Sequence, residues 1–243
     1  MHIPGDRQLN LLANDPRCFG LYGVMTYLSS YTEPEIVRWM GKLFRHYWIE
    51  GNSEPYTRDP LVLAHLVNGD FENGLAGWQV EAAETGSVAG RTSEGFSWLQ
   101  GRYPMTNQGN TVLWMKRSTS KPNSIRQKIH GLRAGRLYTL RMYSGDYRDL
   151  SIQQSLALSV KLDGADVLAD RARQDVFPNC YSHHYGPFDR DHLAWMNYHW
   201  IPFRATGNEA SVTISDWASP AASGGPPGQE TMLNFVQVQP FDE

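Results

Sequence analysis

The densest gathering of reactive side chains is YSHHYGPFDRDH, Tyr181 to His192, with three histidines and two aspartates. Its spacing fits no zinc template. His183 and His184 are adjacent, so on an extended segment their side chains diverge. The stretch reads as a polar loop in contact with a ligand or a neighbouring domain. Paired carboxylates for glycoside hydrolysis must face each other across roughly 5–10 Å. The N-terminal candidates are Glu33, Glu35 and Glu50, and Glu33 and Glu35 are accounted for by the helix macrodipole, which favours acids in a first turn. Walker, Rossmann and G-x-S-x-G patterns are missing, and the glycines of GKLF and GGPPG do not form phosphate cradles. No catalytic residue is expected.

A different chemistry is offered by FSWLQGRYP, Phe96 to Pro104. Trp98, Gln100 and Arg102 are spaced by two, so they share one face if the segment is extended, and Tyr103 follows. A flat ring beside Arg and Gln is what a pyranose needs, with its apolar face stacked and its hydroxyls met by donors and acceptors. Tyr143, Asp146 and Tyr147 in YSGDYRD, and Tyr185 and Trp195 around the His-rich stretch, extend the set. Trp98 and Trp114 can equally serve as core plugs.

The elements that would position these groups fall into two parts. Phe19 to Tyr31 reads as a buried strand. Thr32, Pro34 and Glu35 then open a helix with capping-box spacing, whose apolar face carries Ile36, Met40, Leu43 and Tyr47 with Val37, Phe44 and Trp48 beside them. Glu50 to Pro60 reads as a linker. From Leu61 the period becomes two, in NTVLWMKR, SIRQKIH, RLYTLRMYS, SLALSVKL, HWIPFRA, ASVTISDW and MLNFVQVQ, separated by GLRAG, LDGAD and ATGNE turns. That is the signature of an all-β sandwich or barrel. Asp170 to Asn197 reads as an irregular insertion, and Ser219 to Gln229 as a flexible loop. The expected domains are therefore 1–60 and 61–243.

The chain has 243 residues, a formal charge of −3 and 41% hydrophobic residues. Nucleic acid and membranes are not expected partners: there is no basic footprint, and no apolar run approaches the ~20 residues of a membrane span. Cys18 and Cys180 fall in different parts, so no disulfide framework is expected. The N-terminus lacks the basic-then-apolar pattern of a signal peptide, implying either a cytoplasmic protein or a parent that begins upstream of Met1.

LVNGDFENGLAGW from Leu66, IRQKIHGLRAGRLYTLRMYSGD and LNFVQVQP together resemble the galactose-binding-like jelly-roll superfamily, of the carbohydrate-binding-module type found on glycoside hydrolases. The resemblance implies a mainly β jelly-roll sandwich with a short N-terminal strand-helix segment. It places Asn68-Gly69 at the turn into the first strand and Phe71 and Trp78 in the core. The implied partner is a polysaccharide or oligosaccharide, bound without catalysis. Residues 1–60 resemble the last βα unit of an α/β-barrel hydrolase, which implies an upstream catalytic domain in the same polypeptide and secretion or a periplasmic location if the parent carries a signal peptide. No cofactor is required. The resemblance implies a structural Ca²⁺ held by Glu72 and by the last-strand position that here is Asn234, where the lost charge weakens the site. Two other readings stand beside this one: a structural sandwich that buttresses a barrel, and the C-terminal part of a hydrolase that lends loops to its active site, drawing on Ser29, Ser30 or Tyr31.

Overall fold

The computed structural model describes residues 5–18, 40–56, 65–94, 110–178 and 193–240. The chain divides into two compact units, Met1–Val62 with Pro240–Glu243, and Leu63–Gln239. No described helix is long and apolar enough to cross a membrane.

In the first unit, helix α1 spans Gly5–Asn14 and is followed by a 3₁₀ turn, Pro16–Cys18. Residues 40–44 are α-helical and pass into a π-helical turn, Arg45–Ile49. Leu9, Leu43 and Tyr47 bury one another, with Met40, Phe44 and Trp48 against them. These helical positions, Leu9 apart, belong to the apolar face read from the sequence. Helix α1 was not anticipated, because its few leucines sit among polar residues. The expected strand, Phe19 to Tyr31, and the cap residues of the second helix lie outside the described residues. The segment read as a linker is tied down in its described part: Asn10 donates to the Ser53 carbonyl at 2.9 Å, and the Tyr56 N–H donates to the Tyr47 hydroxyl at 3.0 Å.

The second unit is mainly β. Its strands are β1 (Gln79–Glu81), β2 (Val88–Thr92), β3 (Thr111–Lys116), β4 (Ser124–Ile129), β5 (Leu137–Asp146), β6 (Ser159–Asp163), β7 (Ala165–Val167), β8 (Arg173–Pro178), β9 (Trp195–Ala205), β10 (Ala210–Ser215) and β11 (Glu230–Pro240). They form two sheets, a four-stranded one ordered β1-β4-β10-β6 and a seven-stranded one ordered β2-β3-β11-β5-β9-β7, with β8 also paired to β9. The paired registers are antiparallel throughout, as β-sandwich topology requires. Alternation sends Ile125, Ile129, Val212 and Ile214 from the smaller sheet, and Leu113, Met115, Leu140, Met142 and Leu233 from the larger, into one shared core.

The stretch from Leu66 to Trp78 is a chain of turns that delivers the sequence to β1. Asn68 and Phe71 adopt φ of 52° and 56°, a left-handed conformation that few non-glycine residues take. Phe71 and Trp78 are both buried and stack with ring centroids 5.6 Å apart, as the resemblance implied. Gly69 is required by closeness: a Cβ there would lie 2.1 Å from the Val236 carbonyl oxygen. The Asn68-Gly69 turn is thus seated directly on β11.

Two loop expectations are corrected. The region read as an irregular insertion contains β8, which pairs residue by residue with the start of β9 from Arg173↔Trp200 to Pro178↔Trp195. Residues 219–229, read as flexible, are anchored at their far end: the Arg117 N–H donates to the Gln229 carbonyl and the Gly228 N–H to the Arg117 carbonyl.

Candidate functional site

Because Leu113 and Met115 point into the shared core, Val112 and Trp114 must point to the outer face of the seven-stranded sheet. The same alternation puts Met232 of β11, Tyr143 of β5 and Met196 of β9 on that face, where they form a second apolar cluster with Val112, Phe235, Tyr147 and Leu150. Register then aligns whole rows. Tyr143 faces Tyr198, which faces Asp175; Arg141 faces Trp200, which faces Arg173.

One edge of the face is a compact arrangement of rings and charges. The Arg91 guanidinium lies 3.5 Å above the centre of the Trp114 ring and 5.6 Å from that of Tyr147. Tyr147 meets Trp114 edge-on at 6.5 Å and donates its hydroxyl to the Thr92 carbonyl at 3.1 Å. Below them the Glu230 carboxylate is almost buried. It accepts the Trp114 indole N–H at 2.7 Å and an Arg148 N–H at 2.6 Å, and lies 3.9 Å from Arg91. Burial acts to raise the pKa of Glu230. The hydrogen bonds from Arg148 and Trp114 and the charges of Arg148 and Arg91 outweigh it, so the carboxyl sits below its usual range and is ionised at neutral pH. The side chains of Arg91 and Arg148 are 38% and 71% exposed.

A second grouping lies further along the same face. Tyr143 and Tyr198 are both half-buried, with ring centroids 5.1 Å apart, and Arg173 lies over the Trp200 ring at 4.8 Å while pairing with Asp175 at 3.1 Å.

Of the residues expected to meet sugar, the structure therefore sets Tyr147 in a cluster of rings and cations and Tyr143 beside Tyr198 on the same face. Trp195 begins β9 and, by alternation with Met196, belongs to the opposite face of that strand, so it does not join Tyr147. Trp98, Gln100, Arg102, Tyr103 and Tyr185 lie outside the described residues. Arg91, Arg148 and Glu230 were not read from the sequence. They come from separate segments, β2, the turn after β5 and β11, brought together by strand pairing in the larger sheet, and no local motif announces them. Trp114 was weighed as a plug. It is buried, but on the outer face and under Arg91.

Glu72 is exposed in the turn after Phe71, and Asn234 is fully buried in β11, where its carboxamide donates to the Thr111 carbonyl and accepts the Phe235 N–H. Calcium takes roughly six to eight oxygens, so these two side chains do not make a calcium site by themselves. Among the described residues no group of three or more His, Cys, Asp or Glu could hold a metal ion.

The buried polar groups elsewhere serve the fold. His199 is held in the core face, 2.8 Å from the Ser144 hydroxyl, and burial lowers its pKa to about 4, so it is neutral. At one end of the sandwich Arg117 donates to the carbonyls of Asp216 at 2.8 Å and Ala157 at 2.6 Å and to the Gln229 side chain. Asp216 accepts both the backbone and side-chain N–H groups of Asn123, at 2.8 and 2.7 Å. Burial pushes Asp216 above its ordinary range and Arg117 below its own.

No family model and no curated protein matches the sequence. Among solved structures the chain is similar to TmCBM61 in complex with beta-1,4-galactotriose, at 13% identity over 74% of this chain and 98% of that one, with a TM-score of 0.36. It is similar also to a CBM4, at 12% identity over 72% of this chain and 99% of that one, TM-score 0.31. A third likeness is to the enzymatically active domain of tailspike protein 4 from bacteriophage CBA120, at 12% identity over 72% of this chain but 21% of that one, TM-score 0.42.

Proposed function

We propose that this chain binds carbohydrate without cleaving it, through the outer face of the seven-stranded sheet. The observation that carries the reading is the set of partly exposed tyrosines on that face, Tyr143, Tyr198 and Tyr147, flanked by arginines. Such rings offer apolar surface to a pyranose, and the guanidinium and phenol groups offer hydrogen bonds to its hydroxyls. Trp98, Gln100, Arg102, Tyr103 and Tyr185 remain proposed contributors, and Trp195, on the opposite face of β9, does not.

The proposal extends to a partner. The resemblance of residues 1–60 to the end of a hydrolase barrel supports a linked glycoside hydrolase, which the sandwich would hold at its polysaccharide. An in-frame barrel with paired carboxylates upstream of Met1 is the observation that tests this part.

For binding itself, affinity gel electrophoresis of the full chain over a panel of polysaccharides gives the test. Retardation by at least one polymer, reduced several-fold in Tyr147→Ala or Tyr198→Ala with an unchanged melting temperature, is the expected result. Equal retardation of both variants would remove the face as the site.

A further inference from the structure

Arg91 has an arrangement that a merely structural arginine does not need. Its guanidinium lies 3.5 Å above the centre of the Trp114 ring, and among the described residues its ion-pair partner, Glu230, is 3.9 Å away, beyond hydrogen-bonding distance. Among the described residues its side chain donates no hydrogen bond, although the group carries five N–H donors in a planar fork. The two rings and the carboxylate hold it in place, while 38% of the side chain stays open to solvent. Held against a ring, an arginine loses little further freedom when its fork is engaged.

The stack also removes an alternative. The Trp114 face that a sugar would use is taken by Arg91, so recognition at this edge runs through donors instead of ring stacking. Arg148, 71% exposed and anchored on Glu230 at 2.6 Å, adds a second guanidinium beside the first. Across the described face, Arg91, Lys116, Arg141, Arg173 and Arg204, with Arg148 in the adjoining turn, stand against Glu230, Asp166 and Asp175, with Asp149 in that turn, although the chain carries a net charge of −3. Paired guanidinium forks with open donors match an oxyanion, bound through two parallel hydrogen bonds.

From this we infer that the carbohydrate bound at this face is acidic, and that an oxyanion on the sugar, a uronate carboxylate or a sulfate ester, docks on Arg91 and Arg148. The inference rests on the proposed binding function and names its ligand class. The net negative charge of the chain works against adventitious retention by polyanions, so retention carries information.

The test is affinity electrophoresis of the full chain in polygalacturonate, dextran sulfate and neutral galactan, at low and high salt. Retardation by at least one acidic polymer, exceeding that by galactan about tenfold and weakening with salt, is expected. Polygalacturonate alone would identify the carboxylate, and both acidic polymers an oxyanion of either kind. Arg91→Lys keeps the charge but loses the fork, and should still cut affinity about tenfold. Arg126→Gln, which removes a positive charge from the outer face of the four-stranded sheet, should leave it unaltered. Galactan retardation equal to that in the acidic gels, or an Arg91→Lys variant that binds like the parent, overturns the acidic ligand and leaves carbohydrate binding standing. Retardation in none of the gels overturns the acidic ligand as well. Binding reduced equally by Arg126→Gln shows diffuse charge attraction and also overturns it.

Discussion

His199 shows how a single buried group ties stability to pH. Its folded pKa of about 4 lies below the ordinary histidine value of 6.5. Between those values the unfolded chain takes up a proton that the folded chain refuses, so stability is fully present above about pH 6.5 and is lost as the pH falls toward 4. A shift of that size corresponds to about 3 kcal/mol. Urea titrations from pH 7 to pH 4 should show this slope, and His199→Gln should flatten it; an unchanged slope in the variant would place the titrating group elsewhere. Gly69 makes a second case. Any Cβ there meets the Val236 backbone carbonyl at 2.1 Å, a neighbour that cannot rotate away. Gly69→Ala should lower stability by about 2 kcal/mol, within the usual range for forced overpacking, read as a lower denaturant midpoint. Calcium at Glu72 and Asn234 is likewise a proposal tested residue by residue. A melting temperature raised by calcium and no longer raised in Glu72→Gln would support it, and coincident melts in calcium and in chelator would retire it.

At the scale of elements, the connection from Ser219 to Gln229 depends on one buried cation. Arg117 is held by three hydrogen bonds to Asp216, Ala157 and Gln229, and a Cβ on Gly225 would fall 1.8 Å from its guanidinium. The far end of a long side chain can usually move aside, but this one cannot do so without leaving its donors unpaired in the interior. Gly225→Ala should therefore destabilise the sandwich by roughly 1–3 kcal/mol, whereas Gly86→Ser, where nothing crowds the added atoms, isolates the separate effect of a positive φ of 77°. Gly225 has no positive φ, so an unchanged denaturant midpoint in Gly225→Ala would show that the Arg117 contact does not govern this connection. Alternation made the long strands legible: TVLWMK, SIRQKI, LYTLRMYSGD and ASVTIS stand in the structure where period two put them. Strands β1, β2, β7 and β8 were not legible. The first three are short and contain exposed or small residues such as VAGRT and ADV, β8 (RQDVFP) lacks a run of alternating apolar residues, and all four owe their conformation to hydrogen bonding with a neighbouring strand. The candidate site was legible at Tyr143 and Tyr147, because the rings of YSGDYRD stand among polar residues and are visible locally. Arg91, Trp114 and Glu230 became neighbours through pairing of strands far apart in sequence.

For the whole molecule, the two sheets divide the labour. The four-stranded sheet turns Arg126, Lys128, Thr213 and Lys161 outward, a polar surface with no aromatic ring in its strands. The larger sheet turns tyrosines and arginines outward, and it is the side on which the binding account depends. Hydrogen–deuterium exchange of the full chain, with and without a saturating polysaccharide that retards it, tests that account most directly. Protection concentrated in Val88–Thr92, Thr111–Lys116 and the turn around Tyr147 is the predicted result. Protection confined to the four-stranded sheet, or to residues 5–56, would contradict it.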